Sequence, residues 1–257
     1  MFLDEYTNVC NAAKGKVKFL EQNPVGYMVA SVIAGMFIAF GGFVAFYLGS
    51  FFSAAGSPAT KGVQGFAFAA ALSLVVMAGA ELFTGNNMVL GAAAFDKAIT
   101  WGQTIKTWVF CYIGNLIGSL LGAGIFQLTG IPKGDAGQYF VTLAVNKMAL
   151  TPLQMLTRGI FCNMLVCLAV WCGIKMKSES GKLIMIFWCI FIFIVCGFEH
   201  SIANMSIMAV GLFNAGDAAV SIGGYVYNLL FVTIGNMIGG VLFVAWPYRM
   251  MAKGGKK

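Results

Sequence analysis

Long apolar runs alternate with short polar interruptions along this chain. Six runs stand out, at about 25–52, 62–95, 107–128, 153–174, 183–214 and 218–246. A helix needs about 20 apolar residues to cross a hydrocarbon core, so each run is long enough to span. The second and fifth exceed thirty residues and carry polar residues at their centres. Each therefore predicts two half-helices joined by a break at mid-membrane. Such a break is tolerated only where it is buried in protein or lines a cavity. The pattern predicts an all-α membrane protein with six transmembrane helices, the second and fifth of them broken.

The first twenty-two residues follow a different pattern. Phe2, Leu3, Tyr6, Val9, Cys10, Ala13, Val17 and Leu20 share one helical face over residues 2–20. Lys14, Lys16 and Lys18 lie towards the end where cations complement the helix dipole. This predicts an N-terminal amphipathic helix over 1–22, lying at the membrane interface, rather than a signal peptide. A single transmembrane domain is expected over 23–257.

That domain repeats itself. Ile113-Gly114-Asn115-Leu116-Ile117-Gly118 returns 121 residues later as Ile234-Gly235-Asn236-Met237-Ile238-Gly239. Glu81 followed by Asn87-Met88 returns as Glu199 followed by Asn204-Met205. A unit of three spans starts its second copy from the opposite side of the membrane. Two inverted repeats are thus expected, at about 23–130 and 150–247, followed by a basic tail at 248–257. Sites in such folds lie at mid-depth, where the broken helices meet. Gly114, Gly118 and Gly122, with Gly235 and Gly239, form small faces that let helices pack closely.

Composition strengthens the membrane assignment. The chain is 60% apolar and only 10% charged, against about a quarter charged in ordinary soluble domains. Its sixteen basic residues divide unevenly if six helices cross. Lys14, Lys16, Lys18, Lys97, Lys106, Lys175, Lys177, Lys182, Arg249, Lys253, Lys256 and Lys257 fall on one side, and Lys61, Lys133, Lys147 and Arg158 on the other. The positive-inside rule then places both termini in the cytoplasm of a cell (inner) membrane. The basic tail reads as an orientation anchor and not as a nucleic-acid arm. The seven cysteines form no C-x-x-C pair and read as small packing residues. Neither a metal site nor a cofactor is expected.

Candidate chemistry concentrates at the two polar centres. His200 is the only histidine and sits beside Glu199 in an apolar run. An ionisable residue in hydrocarbon costs about 2.5–3.5 kcal/mol on insertion scales, so it marks a cavity-facing site by default. Thr84-Gly85-Asn86-Asn87 reads as the first break, with glycine allowing unusual backbone angles. The half-helices that start after each break direct positive dipole ends at the bilayer centre, which favours an anion. Glu81 and Glu199 have two readings: structural acceptors for backbone N–H groups or for Asn87 and Asn204, or the lining of a cation path. Lys147 reads as a solvated lysine in the loop between the halves. Phe68, Phe83, Phe193 and Phe198 cluster in the broken runs, as packing residues or as a hydrophobic gate.

Taken together, these motifs resemble the formate/nitrite transporter family over nearly the whole chain. Glu-Leu-Phe-Thr-Gly-Asn-Asn-Met at 81–88 is similar to its first signature, and Gly-Phe-Glu-His-Ser-Ile-Ala-Asn-Met at 197–205 to its second. Cys162-Asn163-Met164-Leu165-Val166-Cys167 is similar to its fourth span. The resemblance implies an aquaporin-like protomer, a homopentamer in a lipid bilayer and one pore per protomer. It implies that His200 is the central pore histidine, Thr84 its partner in the opposite loop and Lys147 the vestibule lysine. Leu82 and Phe83 would form one constriction; Phe68, Val166 and Phe193 would form the other. Thr-Gly-Asn-Asn-Met looks closest to the hydrosulfide-channel subgroup.

The expected function is passive conduction of small monovalent anions: hydrosulfide, formate, nitrite or chloride. The anion would meet His200, Thr84, the Asn87 and Asn204 side chains and the positive helix ends, or His200 would protonate a weak-acid anion on its way through. An aquaglyceroporin-like pore for neutral solutes is the main alternative, although its paired Asn-Pro-Ala loops are absent. A membrane-embedded cofactor subunit is the other. No catalytic residues are expected.

Overall fold

The structure, a computed structural model, describes residues 2–253; Met1 and the last four residues, including Lys256 and Lys257 of the expected basic tail, lie outside it. It has ten helices: α1 (Leu3–Gln22), α2 (Pro24–Ala54), α3 (Thr60–Ala78), α4 (Phe83–Phe95), α5 (Trp101–Leu128), α6 (Gly134–Met148), α7 (Pro152–Lys175), α8 (Glu179–Val195), α9 (Ser201–Phe213) and α10 (Ile222–Lys253). A π turn interrupts α10 at Val241–Ala245. No strand occurs among the described residues. Five helices, α2, α3, α5, α7 and α10, are long and apolar enough to cross a membrane. At 17 and 13 residues, α8 and α9 fall short of that length.

Both long runs with polar centres are interrupted, but earlier than the motif suggested. The first break is Gly79-Ala80-Glu81-Leu82, and Thr84-Gly85-Asn86-Asn87 already belongs to the first turns of α4. Gly79 makes the break, because its φ of 81° lies in the left-handed region that closes helices. Gly85 serves packing instead: a Cβ there would meet Val170 at 3.1 Å. In the second break Gly197 does the same work as Gly79, with a φ of 70°.

Helix packing is carried by the glycine faces. α2 packs on α5, and α7 on α10. A Cβ at Gly118 would lie 1.9 Å from the Val32 carbonyl oxygen, and one at Gly239 would lie 2.3 Å from that of Ile160. Backbone cannot yield cheaply at such distances, and overpacking of this kind costs about 1–3 kcal/mol. Gly118→Ala should therefore lower the thermal midpoint of the purified protein by several degrees. Gly124→Ala, on the same helix, should leave it unchanged, since a Cβ there meets nothing within 4 Å. Equal midpoints for the two variants would show that the close crossing is dispensable.

The apolar face expected of the N-terminal helix is present on α1, and it is turned inward. Tyr6, Val9, Cys10, Ala13, Val17 and Leu20 are buried where α1 packs on α4. The Tyr6 hydroxyl donates to the Ala92 carbonyl at 2.8 Å. Leu3 is the exception and stays exposed. α6 packs on α9 much as α1 packs on α4. It buries Ala136, Gly137, Phe140, Val141 and Ala144 at helical spacing. Lys147 is therefore not in a loop but in the last turn of this helix. Polar residues on the outer side of α6 lowered its average hydropathy and hid it in the apolar pattern.

Candidate functional site

Two helix beginnings meet at the middle of the fold. Thr84 lies in the first turn of α4, and His200 is the N-cap of α9. Thr84 Oγ1 and His200 Nε2 are 2.9 Å apart. The Ala203 backbone N–H donates to His200 Nδ1 at 3.0 Å, so Nδ1 presents its lone pair. In the neutral ring the proton therefore sits on Nε2 and points at the threonine oxygen. The Thr84 hydroxyl keeps its own proton to offer elsewhere. Thr84 is wholly buried and His200 is 3% exposed. Both helix ends carry partial positive charge, so the centre is polar and electropositive without a formal cation.

Apolar side chains flank this pair. Phe193 lies nearly parallel to the His200 imidazole, with centroids 5.9 Å apart, and Phe68 meets Phe193 edge-on at 5.7 Å. Val166 is buried nearby in the same core. On the other side, Leu82 is the N-cap of α4 and lines a cavity. Phe83 does not line that cavity; its ring packs edge-on against Tyr112 of α5.

Cavities approach the centre from both ends of the helices. One of about 400 Å³ lies at the start of α2 and the ends of α3 and α7, and runs from Lys16 and Phe19 of α1 to Glu81, Leu82 and Gly85. The other, of about 230 Å³, lies at the opposite ends of those helices and runs from Lys61, Lys147 and Arg158 to Gly197 and Glu199. Thr84 and His200 belong to neither lining and stand between them.

The two acids hold the breaks in matching networks. Lys147 Nζ donates to both oxygens of Glu199 at 3.0 and 2.9 Å, and Asn204 Nδ2 donates to Glu199 at 2.6 Å. Asn228 accepts from Asn204 and donates to the Lys147 carbonyl. In the other break Lys16 Nζ donates to both oxygens of Glu81 at 2.7 and 2.8 Å. Tyr27 and Asn86 also donate to that carboxylate. Asn86, rather than Asn87, is thus the amide partner of Glu81. Asn87 accepts from Asn163 Nδ2 at 3.0 Å instead.

A further pair of amides clamps the half-helices. Asn115 Oδ1 accepts from the Phe83 N–H, and its Nδ2 donates to the Ser31 and Glu81 carbonyls. Asn236 Oδ1 accepts from the Ser201 N–H, and its Nδ2 donates to the Gly159 and Glu199 carbonyls. These residues are the Asn of the repeated Ile-Gly-Asn motif. Sequence reasoning used the motif to find the repeat but gave its asparagines no task. It also missed Lys16, Tyr27, Asn86 and Asn228. For Asn115 and Asn236 a signal existed, since an amide inside an apolar span must find partners.

Known proteins share this fold and much of this sequence. A solved structure described as an FNT family ion channel superposes with a TM-score of 0.90 at 32% identity, covering 95% of this chain and 97% of its own. A pentameric formate channel with formate bound superposes with a TM-score of 0.75 at 27% identity, covering 88% and 96%. The nitrite transporter NirC of Escherichia coli (strain K12) is 35% identical over 252 residues, which is 96% of this chain and 91% of that protein. The family described as formate/nitrite transporter matches residues 4–250. Matched over nearly its whole length, the chain is a multi-pass membrane protein that belongs to the formate/nitrite transporter family.

Proposed function

We propose that this protein is a passive channel for small monovalent anions, with formate and nitrite as its first candidates and hydrosulfide and chloride as further ones. The observation that carries this reading is the meeting of two helix N-termini at Thr84 and His200, 2.9 Å apart, between two cavities that open at opposite ends. The relatives support the choice of anion, because one is a nitrite transporter and a solved neighbour is a formate channel with formate bound. The same neighbour is pentameric and supports a homopentamer here, read with one pore in each protomer.

The protomer is read as six spans in two inverted halves, α1–α5 and α6–α10. Each half then supplies an outer helix with a lysine, a first span, a broken span and a closing span. Matching ion pairs at Glu81 and Glu199, and matching amide clamps at Asn115 and Asn236, support that reading. Two inverted halves aim both half-helices at mid-depth. The unequal distribution of lysine and arginine puts the α1 end in the cytoplasm of a cell (inner) membrane, and both termini with it.

In this scheme an anion sheds water at an apolar constriction, either at Leu82 or at Phe68 with Val166 and Phe193. The Thr84 hydroxyl and the two positive helix ends then replace its hydration shell. Apolar rings pass a neutral acid far more cheaply than a bare ion, because an unpaired charge in a low-dielectric site is costly. Weak-acid anions therefore take up a proton to finish the crossing. A proton handed over from His200 Nε2 requires the ring to be charged first, at the expense of the Ala203 cap. The charged ring is thus a transient.

Flux into liposomes tests this directly. Formate and nitrite flux should rise steeply as pH falls from about 8 to about 5, while chloride flux stays within about twofold. His200→Asn keeps an acceptor for the Ala203 N–H but cannot exchange a proton, so formate flux should fall at least about tenfold in a pentamer that still assembles. Formate flux that is flat with pH and unharmed by His200→Asn would remove proton transfer from the scheme. Glycerol swelling without any anion flux would replace the anion channel with a neutral-solute pore.

A further inference from the structure

Lysine in a vestibule would seem to be what draws an anion towards the pore, yet in this protein both vestibule lysines are neutralised. Lys147 shares its charge with both oxygens of Glu199, and Lys16 with both oxygens of Glu81. A paired lysine presents a small dipole to an approaching ion, and its field falls off quickly. At the α6 end something else must carry the attraction.

Two further cations line the same cavity. Lys61 comes from the first turn of α3 and Arg158 from the second turn of α7. Neither is among the four ion pairs of the described residues. With Lys147 and Glu199 cancelling, the lining of this 230 Å³ cavity keeps a net charge of two positives, from Lys61 and Arg158. The opposite cavity has only Lys16 and Glu81 as charged lining residues and is balanced. The concentration is more telling because this end of the molecule is poor in cations: the sequence assigns it only Lys61, Lys133, Lys147 and Arg158. Three of those four line one mouth.

We infer that Lys61 and Arg158 form an anion-capture antechamber at the α6 mouth, and that they, rather than Lys147, set how fast small monovalent anions reach the pore from that side; this rests on the anion-channel reading above. Clefts lined by one sign of charge focus the field and raise local counter-ion concentration. The guanidinium of Arg158 adds a planar fork that matches a formate or nitrite oxygen pair. Lys147 keeps a different task, which is to hold the Glu199 carboxylate at the second break.

The test is formate and chloride flux in proteoliposomes at about 10 mM and about 500 mM ionic strength. The Debye length falls from about 30 Å to a few ångströms over that range, so capture by charge is visible only at the low end. At low salt Lys61→Gln and Arg158→Gln should each slow flux about threefold, and the double variant about tenfold, with the differences vanishing at high salt. Lys133→Gln removes the same charge from the same end outside the cavity lining and should change flux less than twofold. Arg158→Lys keeps the charge and should stay within twofold of the unsubstituted protein for chloride. Equal effects of Lys133→Gln and Arg158→Gln, or an Arg158→Lys protein as slow for chloride as Arg158→Gln, would overturn the antechamber. So would a conducting protein whose low-salt flux ignores both neutralisations. An unsubstituted protein that conducts no anion at all would instead sink the channel reading itself.

Discussion

Exchanging Lys147 for methionine should cut anion flux by two or more orders of magnitude. The reason lies in what stays behind. The Glu199 side chain is only 5% exposed, and Lys147 supplies its sole cationic partner. Asn204 continues to donate to the carboxylate at 2.6 Å. An anion that passes within about 5 Å of that lone negative charge meets a repulsion of about 3 kcal/mol at an effective dielectric of about 20. That is a factor of more than 100 in rate. Breaking one half of a buried pair also costs about 3–5 kcal/mol of stability, so the variant should melt earlier. Neutralising both partners, as Lys147→Met with Glu199→Gln, removes the stranded charge. The double variant should recover flux to within about tenfold of the unsubstituted protein, and most of the stability. Sized oligomer and thermal midpoint, measured beside flux, separate a blocked pore from an unfolded one. Normal flux through Lys147→Met would mean that Glu199 does not face the path of the ion.

Much of this architecture could be read from the chain before any coordinates. Apolar runs longer than a bilayer is thick have few alternatives to spanning it, and the lone histidine in such a run marks the polar centre, where it stands between two cavities and lines neither. The doubled Ile-Gly-Asn motif revealed two related halves because packing glycines and clamping amides are needed twice. Other features resisted for physical reasons. The first break was assigned to Gly85 because its neighbours are polar. The left-handed turn is made by Gly79, in a run of small residues where nothing marks a change of direction. Average hydropathy does not mark α6, because a short helix buried on one face carries polar residues on the other. Lys16 was read as an orientation charge, since nothing in its spacing shows that α1 lies across the mouth of a cavity. The contact of Thr84 with His200 spans 116 residues, and only family resemblance suggested it. Local periodicity reports which face of a helix is covered, but not what covers it.

The largest structural effect should come from Asn236. One amide makes three links there: it accepts the Ser201 N–H, the first free donor of α9, and donates to the Gly159 and Glu199 carbonyls. It thereby fixes the start of α9, the second break and the crossing with α7 at a single point. A buried polar group left without a partner costs about 1–3 kcal/mol. Asn236→Leu strands one N–H and weakens two carbonyls, for a loss of about 4 kcal/mol. At about 2–4 °C per kcal/mol for a chain of this size, the thermal midpoint should fall by about 10 °C. Asn236→Asp discriminates between shape and hydrogen bonding. Its carboxylate still accepts from Ser201, but it turns a second oxygen on two carbonyl oxygens, so it should be no better than leucine despite near-identical volume. His200 stands one residue before Ser201, so any shift in the start of α9 moves the imidazole away from Thr84. Flux should then fall even in the fraction of protein that stays folded. Asn115, which clamps Phe83 in the same way, should behave in parallel. An aspartate variant as stable and as conductive as asparagine would show that the half-helices are held in place by packing alone.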